Sequence, residues 1–139
     1  MYGVWGTNPL GLDPEGAPFE IQMQGCGLIA CRRDAWPNFN PLFRGFGGEE
    51  GYIHEKARQA GGRAMCLPFL RWSHRFNRPG GNTYRNDYED RLRNYIIGWT
   101  ELGLDLAPVW AHYQTVLAPE LYRTVSERVA LAVEDVTIA

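Results

Sequence analysis

Phe46-Gly47-Gly48-Glu49-Glu50, continued by Gly51-Tyr52-Ile53-His54-Glu55-Lys56-Ala57, is the stretch on which the reading of this chain turns. Two glycines followed by two acids mark a loop that becomes a helix. Carboxylates are favoured at the positive end of a helix, and Tyr52, Ile53, Lys56, Ala57 and Ala60 then recur at helical spacing. Gly61-Gly62 supplies the stop. Gly47 and Gly48 allow backbone to pass close to a ligand. Adjacent carboxylates on a helix diverge by about 100°, so one can bind a hydroxyl while its neighbour removes the proton. The alternative is an ordinary glycine-rich turn followed by dipole-favoured acids.

Upstream, Phe19-Glu20-Ile21-Gln22-Met23 alternates apolar and polar residues and predicts a strand. Gly25-Cys26-Gly27 interrupts it, and Leu28-Ile29-Ala30-Cys31 predicts a second, buried strand. Arg32-Arg33-Asp34-Ala35-Trp36 reads as a short helix ended by Pro37, and residues 38–46 as a loop. Residues 1–18, rich in Gly, Pro and Asn, form a turn-rich lead-in without a core of its own. Downstream, Ala64-Met65-Cys66-Leu67-Pro68 predicts a strand with proline at its end.

From Asp87 the pattern is helical. Leu92, Tyr95, Ile96 and Trp99 form one stripe, a second helix runs over residues 109–117 to stop before Pro119, and a third covers residues 126–136. The expected organisation is therefore the lead-in, an α/β region over residues 19–83, and a helical appendage over residues 84–139.

The 139 residues suit one domain, and their 45% hydrophobic content suits a folded one. No uncharged apolar run approaches the roughly 20 residues of a membrane helix, and the first residues carry no basic patch followed by an apolar core. Three cysteines are an odd number without metal-site spacing, which makes a reducing cytoplasm the expected setting, peripheral to a membrane only through partners. Lys56 is the only lysine; the other basic residues are arginines, seven of them at positions 63, 71, 75, 78, 85, 91 and 93. Their forks suit anions, and they equally suit internal ion pairs. A net charge of −2 with one lysine argues against nucleic acid as a partner.

A second candidate site is Arg71-Trp72-Ser73-His74-Arg75-Phe76. A histidine just past a strand can ligate a divalent metal or meet a phosphate, or simply lie on the surface. Several look-alikes drop out. His54-Glu55-Lys56-Ala57-Arg58 begins like a zincin helix but has Arg58 where the second histidine belongs. Glu50 and His54, four apart, read as a side-chain pair. Glu89-Asp90 and Glu134-Asp135 read as solvated acids.

Taken in order, these features resemble the C-terminal half of a GT-A glycosyltransferase domain. They comprise the strand with Gly25-Cys26-Gly27, the Trp36-Pro37 turn, Phe46-Gly47-Gly48-Glu49-Glu50, a second strand, and Ser73-His74-Arg75-Phe76. The pattern is similar to that of polypeptide N-acetylgalactosaminyltransferases and of the C-terminal segment of galactosyltransferases, over roughly residues 19–78. The resemblance implies a partial, Rossmann-related mixed sheet. It further implies transfer of a sugar from a nucleotide-sugar to a hydroxyl of a glycan or protein, with a divalent cation, manganese or magnesium.

Carried onto this sequence, the resemblance makes Glu50 the base, Glu49 the acceptor ligand and His74 a metal ligand. Gln24, Gly25 and Gly27 would line the donor sugar, Phe46, Gly47 and Gly48 would contact substrate, and Arg75 would meet phosphate. Glu50 stands where the family has Asp or Asn. The family's Asp-x-Asp does not occur; Asp87-Tyr88-Glu89 comes nearest and follows His74. The expectation is thus an acceptor-side half of a transferase, incomplete as an isolated chain. The alternative is a non-catalytic glycan-binding or protein-interaction module that uses Phe43, Phe46, Trp72 and Phe76. The helical appendage would cover an open sheet edge, self-associate, or dock a partner chain.

Overall fold

The computed structural model describes residues 8–72 and 79–137, with side chains described as far as residue 133. Its architecture is mixed: two short strands, β1 (Phe19–Glu20) and β2 (Met65–Cys66), and four helices, α1 (Glu49–Gln59), α2 (Tyr88–Glu101), α3 (Ala107–Val116) and α4 (Pro119–Thr137). Single 3-10 turns stand at Pro9–Gly11 and at Arg33–Ala35, the second where a short helix was expected before Pro37.

Helix α2 organises the molecule. Asp87, in an extended conformation, caps it by accepting the Asp90 amide at 2.9 Å. It ends at Gly103 (φ 66°), whose amide donates to Thr100 while that of Leu104 donates to Trp99. This is the left-handed double-bonded stop that glycine permits. The expected stripe is inward: Leu92 and Ile96 join Val109, Tyr113, Leu117, Val125 and Val129 in the main core, with Tyr95 and Trp99 packed on it. The other side of α2 meets α1 at a second cluster of Tyr52, Ile53 and Leu102, flanked by Phe43 and Trp36. Gly98 sits at that crossing; a Cβ there would lie 2.9 Å from the Tyr52 ring and 3.0 Å from that of Phe43.

Helix α4 begins seven residues before the expected position 126. Proline has no amide to leave unsatisfied in a first turn, so Pro119 both stops α3 and opens α4. Val125 and Val129, one turn apart, then face α2.

The sheet is smaller than expected. β1 and β2 pair antiparallel, Phe19 opposite Cys66 and Glu20 opposite Met65, and the Ile21 amide extends the ladder to the Ala64 carbonyl at 2.9 Å. The predicted buried strand at Leu28-Ile29-Ala30-Cys31 is not one: these residues are exposed and irregular. A strand exists only by exchanging backbone hydrogen bonds with a neighbour, and among the described residues none runs beside this segment. Asp90 also departs from expectation. Rather than solvated it is 4% exposed, packed at the α2 N-terminus with Arg85 Nε 3.6 Å from its carboxylate. Glu89 keeps partial exposure and meets Arg128 at 3.2 Å; the side chains of Glu134 and Asp135 lie outside those described.

Candidate functional site

The Gly47-Gly48 loop has a conformation only glycine adopts readily. Gly45, Gly47 and Gly48 have φ of 55°, 106° and 89°. A Cβ on Gly47 would fall 2.5 Å from Cγ of Arg91, and one on Gly48 3.2 Å from the Tyr95 amide nitrogen. The loop therefore lies flat on α2. Asn94 holds it there. Its Oδ1 accepts the Arg44 amide at 2.9 Å, and its Nδ2 donates to the carbonyls of Arg44 at 2.7 Å and Gly47 at 3.0 Å. Asn94 is 2% exposed. All three bonds satisfy loop backbone that has no secondary structure of its own.

Aromatic and cationic groups close the other side. Phe46 stacks on Tyr84 at 5.4 Å between ring centres, and the Arg91 guanidinium lies 5.7 Å from the Phe46 ring and 5.8 Å from that of Tyr88. Arg91 Nη2 donates to Asn86 at 2.8 Å.

The two acids have different surroundings. Glu49 Oε2 accepts the Gly47 amide at 2.6 Å, a brace across the start of α1 that occupies one of its oxygens. Glu50 is half-buried; burial, then the neighbouring Glu49 charge, raises its carboxyl above the ordinary carboxylate value. The nearby Cys26 backbone amide and the positive charge of Arg91 oppose that rise without cancelling it. The Gly25-Cys26-Gly27 turn thus lies by the acid at the helix start, so two segments of the sequence pattern are neighbours in space. In the same environment burial, Glu50 and Glu49 push the Cys26 thiol up to about 11. Gln24 Nε2 donates to the Leu28 carbonyl at 3.1 Å and stiffens the turn. Met23 reaches the other flank, its sulfur 3.8 Å from where a Gly51 Cβ would stand.

Glu50 and His54 are not the expected side-chain pair. His54 is 5% exposed, and its Nδ1 lies 2.7 Å from the backbone carbonyl of Glu50 rather than from its carboxylate. The i−4 carbonyl is closer to a helix side chain than the i−4 carboxylate, which points outward along its own stem.

Of the seven arginines between residues 63 and 93, four serve the fold. Arg71 donates to the Leu12 carbonyl at 2.6 Å and Arg93, 3% exposed, to that of Leu42; Arg85 pairs with Asp87, and Arg91 is packed as described. Internal pairing thus accounts for them. His74 and Arg75, with Ser73, Phe76 and Arg78, lie outside the described residues. So the expected meeting of the Glu50 carboxylate with the His74 ring is not part of the described geometry. Among the described residues no three His, Cys, Asp or Glu side chains converge as a metal would need. Among them, too, no helix is long and apolar enough to cross a membrane.

Sequence reasoning passed over Asn94, Arg91 and Tyr84. Asn94 gave little signal: two residues after Leu92 it stands about 200° around the helix, off the apolar stripe, where a polar residue reads as solvated. Arg91 and Tyr84 gave none, because their role depends on where a loop some 40 residues away comes to rest. No family model, no curated protein and no solved structure matches this chain.

Proposed function

We propose that this chain carries the acceptor-side part of a sugar-transfer site, in which Glu50 takes the proton from an attacking hydroxyl. What supports the reading above all is the nearness of the Gly25-Cys26-Gly27 turn to Glu50. It sets a small-residue turn beside a half-buried carboxylate at a glycine-built helix start. A carboxylate held above its ordinary range is a stronger base than a free one. The Cys26 backbone and Arg91 lie near it, and Arg91 keeps a positive charge there as it takes up and releases a proton. Glu49, with one oxygen on Gly47, has the other left for an acceptor hydroxyl. In this reading the GT-A-like relationship, the nucleotide-sugar donor and the divalent cation belong to the complete site. His74 and Arg75 are this chain's contribution to the cation and phosphate.

The test is a transfer assay on the longest natural polypeptide that contains these residues, with nucleotide-sugars, manganese and hydroxyl acceptors. Transfer is expected, with Glu50→Gln lowering kcat by about 10²-fold or more. Full activity of Glu50→Gln refutes the assignment. A second reading, non-catalytic recognition of a glycan or protein, is favoured by one observation. Leu67, Phe69, Leu70 and Trp72 are exposed in succession, with Phe69 61% accessible. Glycan binding by calorimetry, without transfer in the same polypeptide, decides for it.

A further inference from the structure

A cavity of about 110 Å³ lies beside α1, one turn beyond Glu50, between residues 21–37, residues 63–65 and the helix. Its walls are mainly apolar, from Ile21, Trp36, Ile53 and Met65, and it has three polar side chains: Gln24, His54 and Arg63.

The protonation of His54 follows from geometry. Its Nδ1 lies 2.7 Å from a carbonyl oxygen, which can only accept, so in the neutral ring Nδ1 carries the hydrogen and Nε2 a lone pair. Nε2 has no hydrogen-bond partner among the described residues, although the side chain is 95% withdrawn from solvent. With Nδ1 turned to the helix backbone, Nε2 is the polar edge His54 has left for the cavity it lines. An unpaired acceptor on the wall of a mainly apolar cavity is open to a donor carried by a ligand. Gln24 gives one of its two Nε2 hydrogens to the Leu28 carbonyl and also carries the acceptor Oε1. Arg63 is exposed at the rim and has no partner among the described residues.

We infer that this cavity binds a flat ring that carries an N–H or O–H donor and an anionic tail. The donor edge enters and bonds to His54 Nε2, the ring lies against Trp36, Ile53 and Met65, and the tail stays at the mouth with Arg63. The size agrees: a cavity of about 150 Å³ encloses benzene, so about 110 Å³ with an open mouth takes the donor edge and most of a ring and leaves the tail outside. A phenolic acid and a pyrimidine nucleotide share this chemistry.

The experiment is titration of the folded chain with 4-hydroxybenzoate, benzoate, phenol and uridine monophosphate, followed by calorimetry and by the nitrogen resonances of His54. 4-Hydroxybenzoate is expected to bind about tenfold more tightly than benzoate, the value of one well-made hydrogen bond, with the largest shift at Nε2. His54→Leu, which removes the acceptor at similar volume, should bring the two probes to within about twofold. Arg63→Gln, at an exposed position, should weaken 4-hydroxybenzoate about fivefold and leave phenol unchanged. It tests the site even if His54→Leu does not fold. Tighter binding of uridine monophosphate than of 4-hydroxybenzoate identifies the nucleotide source, and the reverse order the phenolic one. Equal affinity for benzoate and 4-hydroxybenzoate in the wild-type chain overturns the proposal. So does the absence of saturable binding by 4-hydroxybenzoate and by uridine monophosphate below about 10 mM.

Discussion

Replacing Asn94 tests the central packing claim, that one buried amide fastens the glycine loop to α2. Asn94 makes three hydrogen bonds to loop backbone, at 2.9, 2.7 and 3.0 Å, and only the one to Gly47 is wholly buried. Asn94→Ala leaves the Gly47 carbonyl without its donor at a cost of about 1–3 kcal/mol. The two Arg44 groups, partly reached by water, add roughly 0.5–1 kcal/mol each. The expected loss is therefore about 2–5 kcal/mol, a large share of a typical folding free energy of about 5–15 kcal/mol.

Asn94→Asp is sharper. It keeps the acceptor for the Arg44 amide but turns a carboxylate oxygen toward two carbonyls, so it should be worse than alanine at pH 7. Its folded state then favours the protonated acid, and the difference should shrink as the pH falls below the ordinary carboxylate range. Urea unfolding followed through the five tryptophans measures both. A loss under about 0.5 kcal/mol for Asn94→Ala, or an aspartate variant as stable as wild type at pH 7, would refute the clamp.

Four further outcomes follow from the same geometry. Glu50→Gln should stabilise the fold at neutral pH. Burial and Glu49 raise the native carboxyl, so ionised Glu50 opposes folding above its folded value, and the gain should vanish below the ordinary carboxylate range, where both states are protonated. An equal gain at pH 3.5 and 7.5 in urea melts counts against this. Gly47→Ala should cost about 2–4 kcal/mol, from its φ of 106° and the approach to Arg91; the double variant with Arg91→Ala should recover part of it, and strict additivity would show that the contact is unimportant.

Glu101 joins α1 to α2 by accepting Lys56 at 2.7 Å, Tyr52 at 2.8 Å and Asn40 at 2.7 Å. Burial alone would raise its carboxyl, but these bonds together hold it below the ordinary value. Its contribution should be present at neutral pH and fade as the pH falls through that lowered value, so Glu101→Gln should destabilise at pH 7 more than at pH 3, read by thermal melts at both. Cys26, its thiol raised to about 11 by burial and by Glu50 and Glu49, should alkylate at least about tenfold more slowly at pH 8 than exposed Cys31. Mass-spectrometric mapping reads the two sites separately, and equal rates would show an open Cys26.

Local signals in the sequence were enough for the elements that close their own hydrogen bonds. The acids after Gly48 and the Gly61-Gly62 stop bounded α1, the Asp87 cap and Gly103 bounded α2, and proline placed the break between α3 and α4. Proline's second role, opening α4 at its first turn, is equally local but was hidden by its reading as a stop. Candidate chemistry was legible to the same depth: glycines beside acids, and the small-residue turn that comes to lie on Glu50.

Tertiary structure alone decided the rest, because a strand, a clamp or a buried charge depends on a partner far along the chain. Leu28-Ile29-Ala30-Cys31 has strand composition and lies exposed, since no described strand runs beside it. Asp90 has the composition of a solvated acid and lies buried because the Gly45 turn, 45 residues earlier, packs on it: a Cβ on Gly45 would stand 2.7 Å from its Oδ2. Asn94 becomes the fastening of a loop that arrives from almost fifty residues away. Side-chain type and spacing fix what a residue can do within a turn or two; which backbone it meets is set by how the helices pack.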